Sequence, residues 1–181
     1  MKKNNIIFGL TFQWILMLLL SLAIIFLAAK YHLVLSHFKS WGLFGIFVIN
    51  ALSTATIFMP TPGFATVIAG GGLYPPVFVA LVASLGSGLG DLTSYLLGFS
   101  SNKVLVKKEH KRYEKLILVF EKYGGVIIFV LALVPNPIFD ALGIISGILK
   151  YPVEKFFLWV FLGRLIRNLL LAFFGLSLSL W

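Results

Sequence analysis

The sequence predicts an all-α integral membrane protein. Its core is an inverted repeat of two opposed re-entrant helical hairpins, each followed by a transmembrane helix, with an N-terminal transmembrane helix ahead of them. Three observations predict this. Of the 181 residues, 60% are hydrophobic, beyond the apolar share of soluble domains. Two apolar runs are interrupted by paired prolines, Pro60-Thr61-Pro62 and Pro135-Asn136-Pro137. The same landmarks then follow each interruption in the same order.

Met1–Asn5 carries Lys2 and Lys3 ahead of the apolar run Ile6–Ala29. A signal peptide starts similarly, but its apolar core is normally only ~7–15 residues, so an uncleaved helix with a cytoplasmic N-terminus is the better reading. Lys30–Ser40 reads as a short outer loop and closes the first unit, residues 1–40. The second unit, 41–181, opens with a hairpin over 41–72 whose break is Pro60, Pro62 and Gly63. Proline has no backbone donor and clashes with a continuing helix, so two of them end or bend one. A helix over 77–99 follows, with Gly86, Gly88, Gly90 and Gly98 placed to let neighbouring helices approach.

Residues 102–122 form the strongly charged stretch, and they read as an amphipathic helix on the cytoplasmic surface or a solvated helical linker. A second hairpin, 126–149, breaks at Pro135 and Pro137. Its apolar arms are each too short to span alone, which favours re-entrance over two crossings. Broken backbone at membrane depth is tolerated only where it is buried in protein or lines a wet cavity. After a polar turn, Tyr151–Lys155, the last helix covers 156–181. In this topology the basic residues gather inside, leaving Lys30 and Lys39 outside, as the positive-inside bias requires.

The halves share a proline-x-proline break, a terminal glycine (Gly72, Gly147) and a Tyr-Pro step (Tyr74-Pro75, Tyr151-Pro152) before a long span. In transporters, inverted repeats bring broken helices together near the midplane, where substrate binds. Four ionisable residues lie inside apolar spans: Asp91, Asp140, Arg164 and Arg167. A charge at the centre of a membrane helix costs ~2.5–3.5 kcal/mol on insertion scales, so each calls for a partner or a cavity. Arg164, Arg167 and Asn168 share one helical face. Asp140 either caps the second arm of its hairpin or serves transport, and Asp91 either sits near the inner headgroups or pairs with the arginines across the repeat. Arginine's planar fork suits phosphate, so the expected partners are membrane lipids with anionic headgroups. The net charge of +9 sits in short loops beside apolar spans, which argues against nucleic acid.

The Pro-x-Pro-Gly of Pro60–Gly63, the glycines 70–72, Gly90-Asp91 and Tyr95-x-x-Gly98 form one ordered signature. Val134-Pro135-Asn136-Pro137, Asp140, Gly147, Gly163, Arg164 and Gly175 form a second. Together they resemble the DedA superfamily, also called the VTT-domain or SNARE-associated Golgi protein family, over most of the chain. The resemblance implies opposed re-entrant hairpins and movement of lipids between leaflets, as a scramblase or flippase, in a bacterial cytoplasmic membrane. It draws Asn136 into the transport set with Asp91, Asp140, Arg164 and Arg167. Many bacterial members carry a glutamate where this chain has Phe64, which favours lipid transport without assigned proton coupling.

The alternatives are an ion-coupled small-solute transporter, which an inverted repeat with buried charges serves equally well, and a structural assembly protein. An intramembrane enzyme is not expected: Gly86-Ser87-Gly88 superficially suggests a serine motif, but no apolar span holds a histidine to act as base. With no cysteine and no metal-ligand spacing among three histidines, neither cofactor nor metal is expected. Assembly as a homo-oligomer is left open.

Overall fold

The computed structural model describes residues 32–55, 63–105, 110–134 and 138–179. The N-terminal apolar run and the breaks at Pro60, Pro62 and Pro135–Pro137 lie outside them. Six helices make up the described chain: α1 His32–Ala55, α2 Gly63–Leu73, α3 Pro76–Leu105, α4 His110–Leu133, α5 Ile138–Ile148 and α6 Val153–Ser179. No strand occurs among the described residues. Two of the helices are long and apolar enough to cross a membrane, over Pro76–Ser101 and Val153–Ser179. By contrast α2 and α5 have 11 residues each, about 16 Å at 1.5 Å per residue, against a hydrocarbon core of ~30 Å.

Three boundaries differ from the sequence reading, each for a local reason. The expected outer loop over residues 30–40 is helical from His32, because no Gly or Pro interrupts His32–Trp41. The interruption comes instead at Gly42, whose φ of 55° kinks α1. The charged stretch 102–122 is not a separate element among the described residues: 102–105 end α3, and 110–122 run without a break into the first arm of the second hairpin as α4. Within α4, Gly124 and Gly125 are packing positions, since side chains there would strike the rings of Tyr151 and Trp159. Finally, most of the expected turn at Tyr151–Lys155 is the first turn of α6, with Glu154 near the helix's positive end.

The turn before α6 is a Schellman close. The Tyr151 amide donates to the Ser146 carbonyl at 3.0 Å, and the Lys150 amide donates to the Gly147 carbonyl at 3.0 Å. Lys150 occupies the left-handed position, with φ 55°, that glycine usually takes.

The long helices α3 and α6 pack on each other, and each also receives two shorter partners. The first arm of its own half lies against it (α1 on α3, α4 on α6), and so does the second arm of the other half (α5 on α3, α2 on α6). Glycines make these approaches close. A methyl group at Gly71 would strike the Ala172 carbonyl, and one at Gly175 would strike that of Ile68. Likewise Gly147 meets the Tyr95 carbonyl and Gly98 that of Ile144. Gly86 and Gly163 lie against the carbonyls of Phe47 and Phe129 in the corresponding first arms. Small residues let helix backbones come this near in lipid.

Two apolar clusters result. One joins Tyr95, Ile128, Phe139 and Phe156 with their neighbours, and the other joins Ile46, Val67, Val79 and Ala172. The outward faces of α3 and α6 are apolar too, with Leu89, Leu96, Leu170 and Phe173 about half exposed, while serines, Asp91, Arg164 and Asn168 are buried. This arrangement, polar inside and apolar outside, suits a lipid surround.

Candidate functional site

The long α3 is apolar apart from a polar stripe. Ser84, Ser87, Asp91 and Ser94 recur at helical spacing, so they share one side, and all four are buried. That side faces α6, whose own polar residues Arg164, Arg167 and Asn168 also share a face. The fold therefore gathers its buried polar groups along one seam.

At the centre of the seam Asp91 and Arg164 form a bidentate ion pair, Nε to Oδ2 at 2.5 Å and Nη2 to Oδ1 at 2.6 Å. Asp91 is 1% exposed and Arg164 7%. Away from water such a pair persists only with good geometry, and the two-pronged fork provides it. The Arg164 guanidinium also lies over the Phe139 ring, 5.0 Å from its centroid, a cation–π contact that a desolvated site strengthens. Asp140, in the first turn of α5, is half-buried and within electrostatic reach of Arg164. Its position fits the capping role, since an acid there also complements the helix's positive end.

One turn beyond the ion pair, the Asn168 side-chain amide donates to Ser84 Oγ at 3.0 Å, and the Ser84 hydroxyl donates to the Ala80 carbonyl at 2.6 Å. Arg167 approaches Asn168 Oδ1 through Nη2 at a long 3.4 Å. Its guanidinium lies over the Phe64 ring, 4.7 Å from the centroid. Arg167 Nε and Ser94 Oγ are buried, and neither has a hydrogen-bond partner among the described residues. Buried donors without acceptors are rare in folded proteins, and each needs an explanation.

The first hairpin is held by polar contacts of its own. The Asn50 amide donates to Thr66 Oγ1 at 3.1 Å, joining α1 to α2, and Thr54 Oγ1 donates to the Ser87 carbonyl at 2.9 Å, joining α1 to α3. These bonds fix Gly63 and Phe64 at the start of α2, beside Arg167.

The structure thus brings Asp91, Arg164, Arg167 and Asp140 into one region where α2, α3, α5 and α6 meet. Asn136 and the prolines of the breaks are outside the described residues, and Gly63 is the first residue of α2. Sequence reasoning did not single out Ser84 or Phe139 for the site, and it noted Phe64 only as a departure from family pattern. The serine stripe of α3 was readable from spacing alone; the ring contacts were not. Among the described residues no group of histidines and acids could hold a metal ion.

No solved structure matches the chain. It is similar to an uncharacterised protein, MJ0201, of Methanocaldococcus jannaschii, at 28% identity over 133 residues, covering 72% of this chain and 81% of that one. The family model described as the VTT domain matches residues 61–177, from the first proline break to near the end of α6. Buried charges on a helix pair long enough to span, the two proline breaks and this match agree: the chain belongs to the VTT-domain family of membrane proteins.

Proposed function

We propose that the protein moves phospholipids or lipid phosphates between membrane leaflets, using the polar seam of α3 and α6 where the short helices α2 and α5 meet it. The observation that carries this reading is the buried charge set: the Asp91–Arg164 pair together with a second guanidinium, Arg167, that has no carboxylate partner among the described residues. Intramembrane charges are expensive and mark substrate paths. Planar guanidinium forks match phosphate oxygens.

Two features support opposed re-entrant hairpins as the frame. At 11 residues, α2 and α5 are too short to cross. The main helix packings also answer one another when α1, α2 and α3 are exchanged for α4, α5 and α6, α1 on α3 for α4 on α6 and α5 on α3 for α2 on α6, as expected of a repeat whose halves enter from opposite faces. The N-terminus is read as cytoplasmic from its lysines, the membrane as a bacterial cytoplasmic one, and the activity as non-enzymatic.

The test is reconstitution into liposomes holding tail-labelled fluorescent lipids, with quenching from outside. Quenching beyond the outer-leaflet half, lost in folded Arg167→Ala, supports lipid movement. Quenching that stops at half, over anionic and zwitterionic lipids alike, rejects it and favours the ion-coupled solute transporter.

A further inference from the structure

The two short helices start differently. Gly71 of α2 and Gly147 of α5 make the same approach to a backbone carbonyl on the other half's long helix. Seven residues before each stand Phe64 and Asp140. The start of α5 therefore carries an acid, which lies within electrostatic reach of Arg164 and offsets the helix's positive end. The start of α2 has no acid in its first turn. In its place is the Phe64 ring, lying on a second guanidinium, Arg167.

The charge count follows. Arg164 has both Asp91 oxygens and the nearby Asp140. Arg167 lies within electrostatic reach of Asp91 but makes no ion pair with it; its direct contacts among the described residues are a long one to a neutral amide and a ring face, and its buried Nε has no acceptor there. A helix N-terminus and an arginine fork both favour an anion, and here they meet with no carboxylate bonded to either among the described residues. The unpartnered Nε is a second, separate sign of a missing acceptor.

We propose that Arg167 and the acid-free start of α2 form an anion site for a phosphate group, with the Phe64 ring stacked on the guanidinium and holding its fork in place. The site is one-sided: the matching position at α5 is filled by Asp140 and takes no ligand. This deepens the lipid-transport reading and rests on it for the ligand's origin, a lipid headgroup rather than free phosphate; binding itself does not depend on transport.

The experiment uses the full chain in detergent and a short-chain phosphatidic acid with a fluorophore on its tail, titrated by anisotropy. Wild type binds saturably. Phe64→Glu, which supplies an internal carboxylate to Arg167, weakens binding at least tenfold, while Glu154→Gln, at an exposed acid on the first turn of α6, changes it less than twofold. Arg167→Gln is the second variant and gives the same tenfold loss should Phe64→Glu not fold. Competition by inorganic phosphate as well as by unlabelled lipid assigns recognition to the phosphate group alone. Competition by lipid only assigns it to a headgroup with its tail. Both keep the site. No binding by wild type, unchanged binding in folded Phe64→Glu and Arg167→Gln, or an equal loss in Glu154→Gln overturns it. Lipid translocation measured alongside separates the two readings: binding without translocation removes transport and keeps the site. Translocation with binding unaffected by either variant does the reverse.

Discussion

Asp91 and Arg164 are 73 positions apart in the chain and meet across α3 and α6 through two short hydrogen bonds, each arginine nitrogen on its own carboxylate oxygen. The pair ties one half of the molecule to the other inside the buried seam.

Removing one partner leaves the other charge uncompensated, which typically costs about 3–5 kcal/mol in a buried pair. Asp91→Asn and Arg164→Ala should therefore lower the thermal midpoint strongly in detergent. Asp91→Leu combined with Arg164→Met should recover most of that loss, because apolar groups of similar volume replace such pairs at little cost. Lipid translocation should stay lost in the double variant. Full translocation there would assign the pair to structure alone.

Crowding at the long helices gives a second test. A methyl group at Gly147 or Gly98 would fall on a backbone carbonyl, where no side-chain rotation relieves it. Gly98→Ala and Gly147→Ala should each destabilise by about 1–3 kcal/mol, as overpacking does. Gly42, with only a distant Tyr74 hydroxyl near its missing side chain, responds for a different reason: its positive φ strains any alanine. Thermal unfolding of the set measures both.

Lys150 should respond in the opposite direction. It is exposed and holds the left-handed position of the Schellman turn without glycine's freedom. Lys150→Gly should raise stability by about 1 kcal/mol, the order of strain relieved at such a position, with translocation unchanged.

Topology is open to labelling, because the chain has no cysteine. Single cysteines at Thr61 and Asn136 should react with impermeant reagents from opposite sides of the membrane. Reaction from the same side rejects opposed hairpins.

Much of this arrangement was legible beforehand. Proline breaks, the Tyr-Pro steps and glycine spacing mark the helix order, and the face shared by Arg164, Arg167 and Asn168 follows from periodicity alone. What stayed hidden was decided by tertiary contact. Nothing local announces that Gly124 and Gly125 leave space for the rings of Tyr151 and Trp159, which are distant in the chain. The choice of Arg164 over Arg167 as partner of Asp91 depends on one turn of relative helix position, which spacing does not specify. The Phe64 and Phe139 rings are ordinary apolar residues until a guanidinium lies on them.

The cross-packing of second arms has a consequence for how the chain is made. Ile68 and Gly71 of α2 wait for Ala172 and Gly175 of α6, which is translated about a hundred residues later. Neither half contains the surface that completes its own short helix, so neither is a self-sufficient folding unit. Translation order leaves α2 uncovered until α6 has been made, and α6 then closes the two halves on each other. A truncation within α6 therefore unmakes α2 as well as the second half.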